Sequence, residues 1–489
     1  MQAINKNSSK AAWTKAIAQP GEEFPLTPLK ILSGHGQIPV GLCGTLYRNG
    51  PGRLERGGIH VGHWFDGDGA ILAVYFNLPG QKGGASAIYR YVETAGYKAE
   101  TKAGKLLYSN YGMKAPGPFW NQWLRPVKNS ANTSVLALQD KLLALWEGAE
   151  PYALDLKNLA TLGKDNLGGL SDEMSYSAHP KIDAATGEIF NFGITPGRKT
   201  ILNIYRSDSS GKILQKAKHQ LEGIPLVHDF VLAGEYLVFF IPPVRLHFKS
   251  VLMGSSCFSN ALKWEPELGT QILVLDRHSL QIVSRSETES WFQWHFANGF
   301  VDPENNLIVD MACYEDFQTN QFLKEVATGE THTVAESRLT RVTLNPTTGK
   351  VINTERILDR HCEFPIVPPS RVGKESRYTY FSIARQGTDI GRELLNGIAR
   401  LNHDTNTITE AVFPDNHYPS EPIYVSDQRN PLQAWILTVV YNADEKHGPN
   451  GRSEVWVFDA ARLNIEPVCK LELPKVIPPG FHGTWKQED

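Results

Sequence analysis

Cysteine is scarce. Five residues, Cys43, Cys257, Cys313, Cys362 and Cys469, are scattered over 489 and form no CxxC pair. This excludes a thiolate metal site and a disulfide framework, and it suits a reducing cytoplasm. An excess of either charge is missing too: 49 basic residues face 52 acidic ones, for a net charge of −3. Nucleic acid, which needs a clustered basic face, is therefore not an expected partner. Long apolar runs are absent. The longest, YLVFFIPPV at 236–244, contains two prolines and falls far short of the ~20 residues of a spanning helix. The first residues lack the apolar core, about 7–15 residues long, of a secretory leader, so export is not expected. Familiar catalytic strings are missing as well: there is no Walker A loop, GxSxG elbow, HExxH or strand-borne GxGxxG. FDGDG at 65–69 lacks the acidic spacing and terminal Glu of a calcium loop and reads as a tight turn.

What is present is turn chemistry and short apolar stretches. With 42 glycines and 30 prolines, the chain leans towards β structure with many turns. Seven times a strand-like stretch ends in a turn residue and a second stretch follows: at Asn77, Asp155, Arg206, Asp276, Asn345, Asn402 and Asp459. The intervals average about 64 residues, enough for a four-stranded sheet plus an insertion. The expected fold is all-β, a seven-bladed β-propeller forming a single domain over 1–489 after an N-terminal extension of about 20 residues. The Asp155 unit is the weakest repeat. Helices are expected only at 9–18 and 118–124, the latter with Pro118 in its first turn, and such insertions would form a loop and short-helix lid over one face.

Among 15 histidines, four sit between apolar, aromatic, Pro or Gly residues: His179 (SAHPKID), His228 (PLVHDF), His295 (WFQWHFANGF) and His482 (PPGFHGTW). An unpaired imidazole would be costly to bury there. His219, His278, His403, His417 and His447 stand among polar residues and read as exposed turns. Glu147, Glu363 and Glu421 share the odd placement of the first four and need partners. The seven residues fall one per repeat. If they lie on innermost strands, four imidazoles converge on the propeller axis and the carboxylates orient them from behind. Neutral imidazoles suit Fe, Zn, Cu or Ni alike, and open coordination positions would mean catalysis.

At these residues the chain resembles the carotenoid cleavage oxygenase family, with a likeness to its cyanobacterial apocarotenoid oxygenases. The matching motifs are GTLYRNGPG (44–52), HWFDGDG (63–69), NSANTSV (129–135), LLALWEG, SAHPKID, LVHDF, WHFANGF, HCEFP, SEPIYV and FHGTW. The resemblance implies non-haem Fe(II) bound by His179, His228, His295 and His482, with Glu147, Glu363 and Glu421 hydrogen-bonded to three of them. It also implies that Thr133 blocks one open iron position and that O₂ is the co-substrate. The implied reaction is dioxygenase cleavage of one conjugated C=C bond of a carotenoid or apocarotenoid, at 15,15′ or 9,10, into two carbonyl products such as retinal or shorter apocarotenals. Stilbene-type alkene cleavage, retinoid isomerisation and a non-catalytic lipid- or partner-binding propeller stay open as alternatives.

A hydrophobic polyene needs an entrance. Residues 117–128 offer Phe119, Trp120, Trp123 and Leu124 beside Arg125 and Lys128. Residues 244–264 add Leu246, Phe248, Leu252 and Phe258 with Arg245, Lys249 and Lys263 interleaved. Aromatic and basic side chains together suit an interfacial patch, which predicts a cytoplasmic enzyme held peripherally on a membrane surface, with no protein partner.

Overall fold

A computed structural model of the chain describes residues 10–32, 36–77, 83–118, 120–171 and 174–488. Seven antiparallel sheets of four or more strands follow one another along the chain, as a seven-bladed β-propeller requires. Five are built mainly from strands consecutive in sequence. In one of them Thr200–Ser207 pairs in full register with Ile189–Thr195 on one side and, with one bulge, Ile213–Leu221 on the other. The outer strand Ile213–Leu221 alternates buried and exposed positions, whereas the interior Asp68–Phe76 is buried throughout. That is the pattern of strands that lose and gain a covering layer.

The chain ends close the ring. Gly483–Gln487 pairs with Gly44–Arg53 and completes the first sheet, while Lys30–Ile31 pairs with Cys469–Glu472 in the last. The sheet after Asn77 has strands of only three or four residues, Ser134–Ala137, Leu142–Leu145, Tyr152–Leu154 and Thr161–Lys164. It is the Asp155 unit, whose repeat is the faintest in the sequence.

The repeat signal has a physical cause. Asp155, Asp276, Asn345, Asn402 and Asp459 each accept backbone N–H bonds from residues two or three further on, and Asn77 accepts one from Gly83. These are side-chain-closed turns between strands. Arg206 is the exception. It lies inside its strand, and Asp208 closes that turn by accepting from Ser210 and Lys212.

Several local expectations need correction. The helix expected at 9–18 is a single 3₁₀ turn, Ala12–Ala16; Ser9 lies outside the described residues. The helix expected at 118–124 is Asn121–Leu124, with Pro118 ahead of it accepting from Asn121 N–H. FDGDG does turn tightly, through the 3₁₀ turn Trp64–Asp66, but within the interior: Asp66 and Asp68 are buried, and Asp68 pairs with Arg56 and Lys128. His417 is buried within the strand His417–Pro419, and His219 lies mid-strand, its ring bonded to the Leu280 carbonyl. The lid over one end is made from Asn121–Leu124, Phe248–Leu252, Phe258–Ala261 and Gln318–Val326, with the hairpin Val244–Leu246 and Leu262–Trp264.

Candidate metal centre

Several innermost strands touch around the axis: Phe292–Val301 meets Val231–Ala233 and Cys362–Ile366, and Gly483–Gln487 meets Ile423–Ser426 and Ser134–Ala137; most of the candidate residues sit on such strands or just ahead of them. His179 precedes Lys181–Ile182, His228 precedes Val231–Ala233 and His482 precedes Gly483–Gln487. His295 lies within Phe292–Val301, Glu363 within Cys362–Ile366, and Glu421 just before Ile423–Ser426. Glu147 differs. It follows the second strand of its sheet, Leu142–Leu145, and Thr133, ahead of Ser134–Ala137, takes the innermost place there.

One ring nitrogen from each of His179, His228 and His295 lies within 4.8 Å of the other two. His482 completes a ring of four imidazoles, its centroid 4.8 Å from that of His179 and 4.7 Å from that of His295. Three of the rings are gripped from outside. Glu363 Oε2 is 2.5 Å from His295 Nδ1 and Glu421 Oε1 is 2.9 Å from His482 Nδ1. Glu147 lies against His228 Nδ1 in close charge contact, although the approach is not aligned as a hydrogen bond. His179 Nε2 and His295 Nε2 are buried with no hydrogen-bond partner among the described residues. Orphaned buried nitrogens are expensive, and a cation at the centre of the four rings satisfies them. The donor set, uncharged nitrogens with carboxylates bonded to their far sides, fits a divalent transition metal.

For His179 and His482 the electrostatics agree. Burial, reinforced by the other three histidines, pushes His179 well below the ordinary imidazole pKa, so it is neutral and able to ligate. Burial also lowers His482, with Glu421 opposing. At His295 the burial penalty is outweighed by Glu363, and the value rises. Burial alone would raise Glu363 and Glu421; instead His295 holds Glu363, and His482 with Arg48 holds Glu421, below the usual carboxylate value.

Sequence reading missed the residues that fix these carboxylates. Arg48, buried in the GTLYRNGPG stretch, donates to Glu421 Oε2 at 2.8 Å and to the Phe481 carbonyl at 3.1 Å. Tyr314 donates its hydroxyl to Glu363 Oε1 at 3.2 Å. Asp229, next to His228, accepts from the Phe296 N–H and pairs with Lys181 at 2.7 Å, tying three ligand-bearing segments together. Gly50 has a comparable role. A Cβ there would stand 2.4 Å from Gly480 Cα, so only glycine lets this strand lie against the segment carrying His482. The one signal for Arg48 is a charged residue inside an otherwise apolar and Gly-rich run. Phe364 adopts φ 54°, rare for a bulky residue, and stacks on His295 at 5.2 Å while its N–H donates to Glu363 Oε2 at 2.7 Å.

Two largely apolar cavities meet beside the histidines, sharing Phe65, Thr133 and Trp294 in their walls. The Thr133 hydroxyl is bonded to Asn132 Oδ1, and its carbonyl accepts from the His482 N–H at 3.2 Å. One cavity runs towards Phe248, Val251 and Phe258 in the lid. Of the expected entrance residues, Trp120, Trp123, Leu124, Phe248 and Leu252 are exposed, and Leu124 shows 75% of its surface. The Trp123 indole donates to the Leu252 carbonyl at 2.7 Å, joining the two segments. Leu246 and Phe258 turn inward instead: Leu246 is buried in its hairpin, and Phe258 packs on Tyr111 and lines the cavity. Phe119 lies outside the described residues.

A propeller with axial histidines braced by carboxylates is a scaffold able to hold a metal ion, and comparison with known proteins places it. The retinal pigment epithelial membrane protein family matches residues 17–487. Apocarotenoid-15,15′-oxygenase of Synechocystis sp. is 33% identical over 463 residues, covering 92% of each chain. Resveratrol cleavage oxygenase 1 of Aspergillus fumigatus is 28% identical over 478 residues, covering 93% of this chain and 91% of its own. A crystal structure of cobalt-substituted Synechocystis ACO superposes with a TM-score of 0.86 at 31% identity, over 98% of both chains. The chain belongs to the retinal pigment epithelial membrane protein and carotenoid oxygenase family, in agreement with the motifs, and it is an enzyme of the oxygenase class that family defines.

Proposed function

We propose that the protein is a non-haem Fe(II)-dependent dioxygenase that cleaves one conjugated C=C bond of an apocarotenoid into two carbonyl products. The observation that carries this reading is the meeting of two apolar cavities at four converging imidazoles. A long polyene threaded through both would place an interior double bond beside the metal. The identity to an apocarotenoid-15,15′-oxygenase favours the 15,15′ bond.

His179, His228, His295 and His482 would hold the iron. Bound there, Fe(II) supplies the ability to activate O₂ for reaction with an electron-rich alkene. The balance is simple: R–CH=CH–R′ and O₂ give R–CHO and R′–CHO, so no separate reductant enters. Glu147, Glu363 and Glu421 keep the imidazoles oriented and electron-rich. Thr133 occupies space beside His482 and restricts approach to one side of the cluster. Phe65 and Trp294 exclude water and press the polyene against the reacting side. The exposed Trp120, Trp123, Leu124, Phe248 and Leu252 dock the lid cavity on a membrane surface, where such substrates dissolve.

Product analysis under ¹⁸O₂ tests the reaction. One labelled oxygen in each of two aldehydes is expected from an apocarotenal; isomerised substrate without label, or labelled aldehydes only from a stilbene, overturns the assignment.

A further inference from the structure

Three of the four imidazoles have a glutamate against the outer nitrogen: Glu147 at His228, Glu363 at His295 and Glu421 at His482. Among the described residues, His179 has no such carboxylate. Its backbone is thinly supported as well. The strand that follows it, Lys181–Ile182, has only two residues, paired with Phe190 and Ile189, and Pro180 brings no N–H. His179, His228 and His295 belong to three successive sheets, so no shared strand ladder fixes one against the next.

The link between them runs through Asp229, the residue after His228, whose side chain is 2% exposed. Its Oδ1 meets Lys181 Nζ, two residues after His179, at 2.7 Å and accepts from the Phe230 N–H at 2.8 Å. Its Oδ2 accepts from the N–H of Phe296, the residue after His295, at 3.1 Å. Lys181 Nζ also lies 5.8 Å from the centre of the Phe230 ring, within range of a cation–π contact. One buried carboxylate thus holds the chain within two residues of three histidines. His482 stands outside this arrangement: it precedes the strand that closes the ring and is braced by Glu421, which Arg48 holds.

We propose that Asp229 is a positioning residue of the metal centre, a clamp that sets the spacing of His179, His228 and His295 through Lys181 and the Phe296 N–H. Asp229 and Lys181 line neither cavity, so their effect reaches the centre only through the ligands. A functional site needs its groups held within about 0.5 Å of the productive geometry, and three ligands on three sheets meet that only if the sheets are tied close to the ligands themselves. The clamp does for His179 what the glutamates do for the other rings, but by holding its backbone. This inference rests on the four-histidine centre of the proposed function and adds the device that shapes it.

The test uses the full-length protein, purified metal-free and titrated with Fe(II) or Co(II) against a chelator. Asp229→Asn keeps the shape and removes the charge; affinity for both ions is expected to fall about tenfold, the lower end of the range for groups that support metal ligands. The visible absorption bands of the Co(II)-loaded protein, which report coordination number and geometry, are expected to shift. Lys181→Met, at a partly exposed position, lowers affinity less, because Asp229 keeps its two N–H bonds, and Lys181→Arg restores it. The double variant Lys181→Met with Asp229→Asn matches Asp229→Asn alone, since Lys181 acts through Asp229. Asp310→Asn is the control: it breaks a buried pair with Arg341, 2.8 Å long and within one sheet, and should lower the melting temperature without moving affinity or the bands. Undiminished affinity and unshifted bands in Asp229→Asn overturn the clamp and leave the centre standing. An equal loss in Asp310→Asn reduces the effect to general destabilisation and also overturns the clamp. Wild type that takes up neither ion overturns the centre, and the clamp with it.

Discussion

Glu363 Oε2 lies 2.5 Å from His295 Nδ1, so the outer nitrogen of this imidazole is occupied and the inner one, Nε2, is left buried without a partner among the described residues. Replacing Glu363 with Gln removes the charge and keeps the shape. Iron affinity, measured by competition with a chelator, is expected to fall about ten- to a hundredfold, and kcat with it. An unchanged affinity would show that Glu363 serves the fold alone.

The Arg48–Glu421 pair makes a stability prediction. Both side chains are under a tenth exposed, at 5% and 8%. Arg48→Met leaves a buried carboxylate with the His482 ring and the Gly483 N–H as its remaining partners, and should cost about 3–5 kcal/mol in urea unfolding of metal-free protein. Adding Glu421→Gln should recover part of that loss, because the two changes share one interaction. Simple additivity would contradict the coupling.

Asp66 predicts a pH dependence. Burial raises its pKa from 3.8 to about 7, against N–H bonds from Gly112 and Gly62 that lower it. The folded state thus holds a proton that the unfolded chain releases. The stabilising contribution is complete below the unfolded value of 3.8 and is lost as pH rises through about 7. Asp66→Asn, which does not titrate, should therefore gain on wild type between pH 4.5 and 7, by up to about 1.4 kcal/mol per pH unit. A stability gap that stays flat over this window refutes the buried acid.

The exposed lid patch predicts membrane binding. Trp123→Ser with Leu124→Ser removes two large apolar side chains that are 52% and 75% exposed. Co-sedimentation with phosphatidylcholine and phosphatidylglycerol vesicles should weaken about tenfold while circular dichroism is unchanged. Equal sedimentation of the variant and wild type would remove the docking role.

Much of this was legible before any coordinates. Asp and Asn at strand ends announced the blades because they close the turns with their own side chains. Arg206 misled because Asp208, two residues on, does that work. The four histidines were legible because polar rings in apolar stretches must find partners inside. Arg48 and Asp229 were not, since Arg48 meets Glu421 373 residues away and Asp229 meets the Phe296 N–H 67 residues away. Closing of the ring brings the first pair together, and packing of neighbouring blades the second. His417 escaped notice for a related reason: its polar neighbours in sequence suggested exposure, but the strand it belongs to pairs with the buried Ala434–Asn442.

The central claim is a metal held by four imidazoles, and elemental analysis tests it most directly. Protein purified without air and loaded with Fe(II) should retain about one iron per chain, and His295→Ala, still folded by circular dichroism, should retain none. Iron retained equally by wild type and His295→Ala, or by neither, would contradict the account.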